Sequence, residues 1–291
     1  MIAPHLPHLS VVIPAFNEEQ RIADSLRAIT HFLDGEADPY EVIVVDDGST
    51  DSTSSIVERL QKMHRSIRLI RIEHAGKGWA VRTGMLNAQG RLRYMCDTDL
   101  STPIEELPRF LEEAAKGCEV ALGSREAKGA RRIDEPWRRH FLGRVFNKIV
   151  QLIVSLGIDD TQCGFKLFSA RAADTLFARQ TLPGFGFDVE ILFLARRVGL
   201  SLSEVPVTWH YKTGSKVHPL RDSLRMLRDV LKIRWNSWSG QYQHESPPET
   251  AETPRKATQA RPTETAHRPE PAEPVAAIEP EDRPLRPGPS P

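Results

Sequence analysis

The chain has 291 residues, with 39 basic and 39 acidic side chains, 10 His, 22 Pro and three Cys. A formal charge of zero argues against a dedicated nucleic-acid binder, whose affinity rests on a basic footprint against phosphates. Cys96, Cys118 and Cys163 are odd in number and lack CxxC spacing, so neither a disulfide framework nor a structural zinc site follows, and a reducing cytosol fits best.

Residues 1–16 contain no Lys or Arg and only a short apolar run broken by Pro14, so no signal peptide is read there. Strands are then expected at Leu9 to Ala15, Tyr40 to Val45, Ile67 to Ile72, Leu92 to Cys96 and Glu119 to Leu122. Helical spacing fills the gaps, at Glu18 to Phe32, Ser52 to Met63, Trp79 to Ala88 and Ile104 to Lys116. Such alternation implies βαβ crossovers and a mostly parallel sheet, and the unbroken Val11-Val12-Ile13 run suits a strand covered on both faces. The expected class is therefore α/β.

Further along, Trp137 to Leu156 and Leu220 to Trp238 place apolar residues every three or four positions with Arg and Lys between them. Basic amphipathic helices with tryptophan suit an anionic membrane surface, and ordinary core packing is the alternative. The best candidate for a membrane span, residues 149–158, is about half the ~20 apolar residues required. From His244 to Pro291 there are 48 residues with 12 prolines and no Phe, Trp or Tyr, too little to offset the entropy of ordering. One domain over 1–240 and a disordered Pro-rich tail over 241–291 are expected.

In open α/β sheets, ligands bind beyond the carboxyl ends of the strands. Three of these ends run into Asn17-Glu18-Glu19, Asp46-Asp47-Gly48 and Asp97-Thr98-Asp99. Converging carboxylates titrate upward unless a cation or donor groups compensate them. Asp97 and Asp99 are two apart, so in extended chain they share a side, and all-oxygen ligands suit Mg²⁺ or Mn²⁺. For a lone DxD the alternative is a capped turn. The Gly76-Lys77-Gly78 segment lacks the GxxxxGK[ST] spacing and no GxGxxG exists, which disfavours an ATPase or a nicotinamide enzyme. It reads either as an anion-approaching helix start or as a tight turn.

VVIPAFNEE, VIVVDDGSTD, the GKG lysine, CDTD, GSR at 123–125, DTQCGFKLF at 160–168, GFGFDVEIL and GSK at 214–216 follow one another between Leu9 and about Trp238. In that order they resemble the inverting family-2 glycosyltransferases of the GT-A fold. Among these the pattern is similar to the polyprenyl-phosphate sugar transferases, the dolichyl-phosphate β-glucosyltransferase group in particular. The resemblance implies a nucleotide-diphosphate sugar lying across the strand ends, UDP-glucose first and GDP-mannose as the alternative. It places Pro14, Ala15, Asn17, Glu18 and Asp46 or Asp47 at the base and ribose, with Lys77, Gln162 and Lys166 along the donor site. A metal on Asp97 and Asp99 would bridge the diphosphate.

The implied acceptor is a polyprenyl phosphate, gripped by Arg125 and Arg139 with Lys216 as a third candidate, and met by a peripheral enzyme at the cytoplasmic face of the membrane. A phosphate monoester is largely a dianion near neutral pH and needs no general base. On that reading Asp188 lines the site and Glu190 is undecided. A soluble hydroxyl acceptor would instead make either one a base, and a noncatalytic membrane-surface protein is the non-enzyme alternative. Cys163 is expected to be a packed small residue.

Overall fold

The computed structural model describes residues 6–154, 156–212 and 219–242. Strand β1 (Leu9–Ala15) is buried at every position, as its apolar run requires. It lies parallel to β2 (Tyr40–Asp47) on one side and β4 (Leu92–Met95) on the other, and β3 (Ile67–Ile72) extends the sheet beyond β2. With β5 (Val120–Ser124), β7 (Lys166–Ser169) and β8 (Leu202–Pro206), the order across the seven strands is β3-β2-β1-β4-β7-β5-β8. A second, two-stranded parallel sheet pairs β6 (Arg131–Ile133) with β9 (Thr208–His210).

Helices α1 (Ile22–Asp34), α2 (Thr53–Met63) and α4 (Leu107–Ala115) contribute Leu26, Val57 and Phe110 to one core, where they meet Val11, Ile13, Val42 and Val44. The opposite core joins Val12, Ile43 and Val45 to α3 (Lys77–Asn87), α6 (Ala170–Arg179), α7 (Phe187–Val198) and α8 (Pro219–Trp238). Alternate residues of one strand thus feed opposite cores, the consequence of a period of two. Each fully buried Val or Ile contributes about 1.5–3 kcal/mol relative to exposure. Gly84 seats α3 directly on the sheet: a Cβ there would lie 2.3 Å from Val12 Cγ1. That close approach carries the start of α3 to the carboxyl edge of the strands.

The mostly parallel α/β expectation holds, with one antiparallel strand inside it. β7 runs against both β4 and β5, so Lys166 pairs with Met95 and the loop before it reaches the same edge as Asp97. This strand lies within DTQCGFKLF and escaped the pattern because a lysine opens it. Helix α1 starts at Ile22 rather than Glu18, since Asn17 sits in the left-handed region at φ 53 and the chain must turn before it can coil. Helix α3 starts two residues early, at Lys77, and β5 runs two residues past Leu122. A 3₁₀ turn at Ile104–Glu106 precedes α4. The folded part runs past the expected boundary at 240, since Tyr242 is buried in the core; the rest of the expected tail lies outside the described residues from 243 onward. Among the described residues no helix is long and apolar enough to cross a membrane.

Candidate active site

At the carboxyl edge the loops after β1 and β2 are stitched together. Asn17 N–H donates to Ser49 Oγ at 2.8 Å, Thr50 N–H to Asn17 Oδ1 at 2.8 Å, and Glu18 N–H to Thr53 Oγ1 at 2.7 Å. Thr98 Oγ donates to the Pro14 carbonyl at 2.9 Å, tying β1 to the segment after β4. Ala15 pairs in register with Asp46. Leu100, at φ 47, is a second non-glycine residue in left-handed geometry, and this bends the chain sharply after Asp99.

Asp46 and Asp47 are buried and are compensated by donor groups, the second of the two ways open to converging carboxylates. Asp46 accepts from Ser49 N–H and from the Ser54 hydroxyl. Asp47 accepts from Ala75 N–H at 2.7 Å and Gly76 N–H at 2.9 Å, and His74 Nδ1 lies 3.0 Å from it. Two of the backbone N–H groups of the GKG turn are therefore occupied, Gly76 by Asp47 and Gly78 by Pro183 O, which also accepts from Trp79 N–H. Gly76 and Gly78 permit this, for a Cβ at either would meet the carbonyls of Pro183 or Leu182 within 2.7 Å. What the turn presents to Asp97 is the ammonium of Lys77.

That ammonium, Lys77 Nζ, lies 2.6 Å from Asp97 Oδ1. Burial by itself would lower its pKa, but Asp97, Asp188 and Asp99 outweigh burial and hold it well above the ordinary lysine value. Asp97 is pressed from the other side by Gly164, where a Cβ would stand 2.0 Å from Oδ2. Asp99 Oδ1 accepts from Ser101 N–H at 2.9 Å, and Lys212 donates to the Asp99 carbonyl. Beneath this pair Lys166 Nζ is buried, 2.6 Å from both Asp188 Oδ1 and the Cys163 carbonyl. Burial raises Asp188 above the usual aspartate range although Lys166 and Lys77 pull it down. Lys166 and Asp188 thus support the site from below.

Among the described residues no three His, Cys, Asp or Glu side chains converge as a metal cage. Mg²⁺ seldom needs one, being held by one or two carboxylates plus substrate phosphates. Asp97 and Asp99 fit that role, and the lysine ammonium resting on Asp97 marks where positive charge is favoured.

Arg125, expected on the acceptor phosphate, turns its guanidinium fork onto Asp160 instead, with Nε 2.6 Å and Nη2 2.9 Å from the carboxylate. Burial alone would raise Asp160, but the Arg125 charge and hydrogen bonds bring it down to about 2. Gln162, next to this pair, donates from Nε2 to Met226 Sδ. The Arg139 side chain and Lys216 lie outside the described residues. Glu190, undecided from sequence, is fully buried and accepts from Thr181 N–H, Leu182 N–H and the Tyr242 hydroxyl. Cys163 is packed, as expected.

Beside Arg125, a cavity of 390 Å³ is bounded by Arg144, Asn147 and Lys148 of α5 (Trp137–Val154), and by Arg132, Asp159 and Gln162. Helices α5 and α8 pack together. Helix α8 buries Val230 and Ile233, whereas the expected stripe points outward: Leu224, Leu231, Trp235 and Trp238 are exposed, the last at 74 %. On α5, Trp137, Ile149 and Leu152 are exposed and Leu156 beyond its end is buried. The side chains of Phe141 and Val145 lie outside the described residues. Core packing does not account for the exposed stripes.

Sequence reasoning missed Asp160, the Phe16–His74 stack at 4.3 Å between ring centroids, and Trp209, which lies 5.4 Å from Arg125. No local signal marks these partners, since each pair comes from distant segments.

A family model described as "Glycosyl transferase family 2" matches residues 10–177. A dolichyl-phosphate beta-glucosyltransferase of Drosophila melanogaster is 39% identical over 241 residues, covering 77% of this chain and 74% of the relative. One of Dictyostelium discoideum is 35% identical over 242 residues, covering 78% and 74%. Among solved structures, glucosyl-3-phosphoglycerate synthase from Mycobacterium tuberculosis, crystallised with Mn²⁺ and UDP-glucose, superposes with a TM-score of 0.58 at 22% identity, over 80% of this chain and 79% of the other. At that identity the likeness concerns the fold, which is the expected GT-A arrangement.

Proposed function

The chain belongs to glycosyl transferase family 2 and is a glycosyltransferase, and from that premise we propose that it moves glucose from UDP-glucose to a polyprenyl phosphate, with inversion, at the cytoplasmic surface of a membrane. The observation carrying the donor half is the contact of Lys77 with Asp97 at the carboxyl edge of a parallel sheet, where a cation and two carboxylates face incoming diphosphate. A divalent ion on Asp97 and Asp99 would supply neutralisation of the charge that develops on a diphosphate leaving group. Lys77 gives the same anion a direct ammonium partner. Gly164 leaves room for the Asp97 carboxylate, and the Lys166–Asp188 pair keeps the surrounding loops in place.

On the acceptor side the geometry favours a nucleophile that needs no base. Asp188 is engaged by Lys166 and Glu190 by Thr181, Leu182 and Tyr242, so neither is placed to take a hydroxyl proton. A phosphate dianion attacks without one. The membrane half rests on the exposed Trp235 and Trp238 and the basic residues between them and Leu224, a pattern suited to anionic lipid. With Arg125 drawn to Asp160, Arg139 and Lys216 remain the candidates for the acceptor phosphate.

The test supplies radiolabelled UDP-glucose, GDP-mannose or UDP-N-acetylglucosamine with polyprenyl phosphate and Mn²⁺, followed by solvent extraction. Label from UDP-glucose should enter the organic phase, at a rate reduced about 10²–10³-fold in Asp99→Asn. Label that stays aqueous while nucleotide is released would replace the lipid acceptor with a soluble one.

A further inference from the structure

Lys77 makes its contact on one of the two carboxylates best placed to hold a divalent ion. The fold fixes the base it reaches from: Gly76 N–H is held by Asp47 and Gly78 N–H by Pro183 O, so the backbone of the turn keeps Lys77 within reach of Asp97 while its side chain can still turn toward a ligand. An ammonium at 2.6 Å from Asp97 Oδ1 and a divalent ion on the same carboxylate repel each other at close range, which disfavours holding both. The other carboxylates in its field offer poor refuge. Asp188 is buried against Lys166, and Asp99 belongs to the metal-facing segment itself. An incoming diphosphate is the partner left for a displaced ammonium.

We propose that Lys77 is a built-in counter-cation that occupies Asp97 in the donor-free enzyme, so that a divalent ion enters effectively only together with a nucleotide diphosphate, to which Lys77 transfers its contact. No covalent bond changes. One ion pair, Lys77 with Asp97, is exchanged for two, Asp97 with the metal and Lys77 with phosphate. Metal and nucleotide then bind cooperatively, each strengthening the other by the same factor. The proposal rests on the donor-site reading above and adds an order of events to it.

Binding of Mn²⁺ alone, followed by the electron paramagnetic resonance signal of the free ion, tests this with and without UDP. Without nucleotide, Lys77→Met should bind Mn²⁺ about five- to tenfold more tightly than the wild type, and the factor by which UDP tightens Mn²⁺ should shrink correspondingly. Lys77→Arg retains the cation and should stay near the wild type. Thermal unfolding checks that the Met variant is folded, and Lys77→Gln carries the same expectation should it not be. If the wild type binds Mn²⁺ with UDP but neither neutral variant binds Mn²⁺ alone more tightly, the counter-cation is overturned and the donor site stands. If even the wild type fails to bind Mn²⁺ with UDP, both are overturned.

Discussion

The donor edge and the α5–α8 surface manage charge in opposite ways. At the donor edge nearly every carboxylate has an internal partner: Asp46 the backbone of its own turn, Asp47 the backbone of the turn after β3, Asp97 the Lys77 ammonium, Asp188 the Lys166 ammonium. On α8, by contrast, Trp235, Trp238 and Lys232 stand in solvent. The difference teaches that the first region is organised before its ligand arrives, which lowers the cost of fixing a flexible donor. The second is left open in the manner of a surface that meets a partner it does not enclose.

Breaking the internal pairing should have the largest effect. Lys166→Met leaves Asp188 buried beside no ammonium of its own and is expected to remove about 3–5 kcal/mol of folding stability, read by urea unfolding. A loss under about 1 kcal/mol would mean that the donor edge does not depend on this pair.

Acid titration sharpens the contrast at the boundary between the two regions, where Asp160 holds Arg125. The folded value of Asp160, about 2, lies below its ordinary 3.8, so its contribution is complete above about pH 4 and is lost as pH falls through about 2. The stability gap between wild type and Asp160→Asn should therefore narrow by about 2 kcal/mol on going from pH 5 to pH 2. Asp188 is raised, so its linkage has the opposite sign, but it is common to both proteins and cancels. A gap that stays constant with pH would show Asp160 contributing no charge to the fold.

Removing the exposed aromatics should change least in the folded molecule. Trp235→Ser with Trp238→Ser is expected to shift stability by no more than about 0.5 kcal/mol. Partitioning onto vesicles of anionic phospholipid should nevertheless fall about tenfold, equivalent to about 1.4 kcal/mol. Equal vesicle binding by both proteins would remove α8 from the membrane reading.

Much of this was legible in residue order. The apolar runs at Val11 to Ile13 and Val42 to Val45 declared buried strands, and the carboxylates after them lie at the edge where the donor is proposed to bind. Strand β7 was hidden because Lys166 breaks the apolar pattern, and that lysine is tolerated only because Asp188, 22 positions later, neutralises it inside the core. Arg125 looked like a phosphate ligand until Asp160, 35 positions on, closed its fork. Glu190 could have been a base until Tyr242 and the Thr181 loop surrounded it.

Sequence alone thus determined the α/β class, the positions of strands β1 to β5, and the placing of Lys77, Asp97 and Asp99 at strand and helix ends, because backbone periodicity and turn chemistry are local properties of the chain. Only the tertiary structure decided which charges remain available to a ligand. Coulomb attraction and hydrogen bonding depend on distance through space, and the folded core brings together groups that the chain keeps far apart.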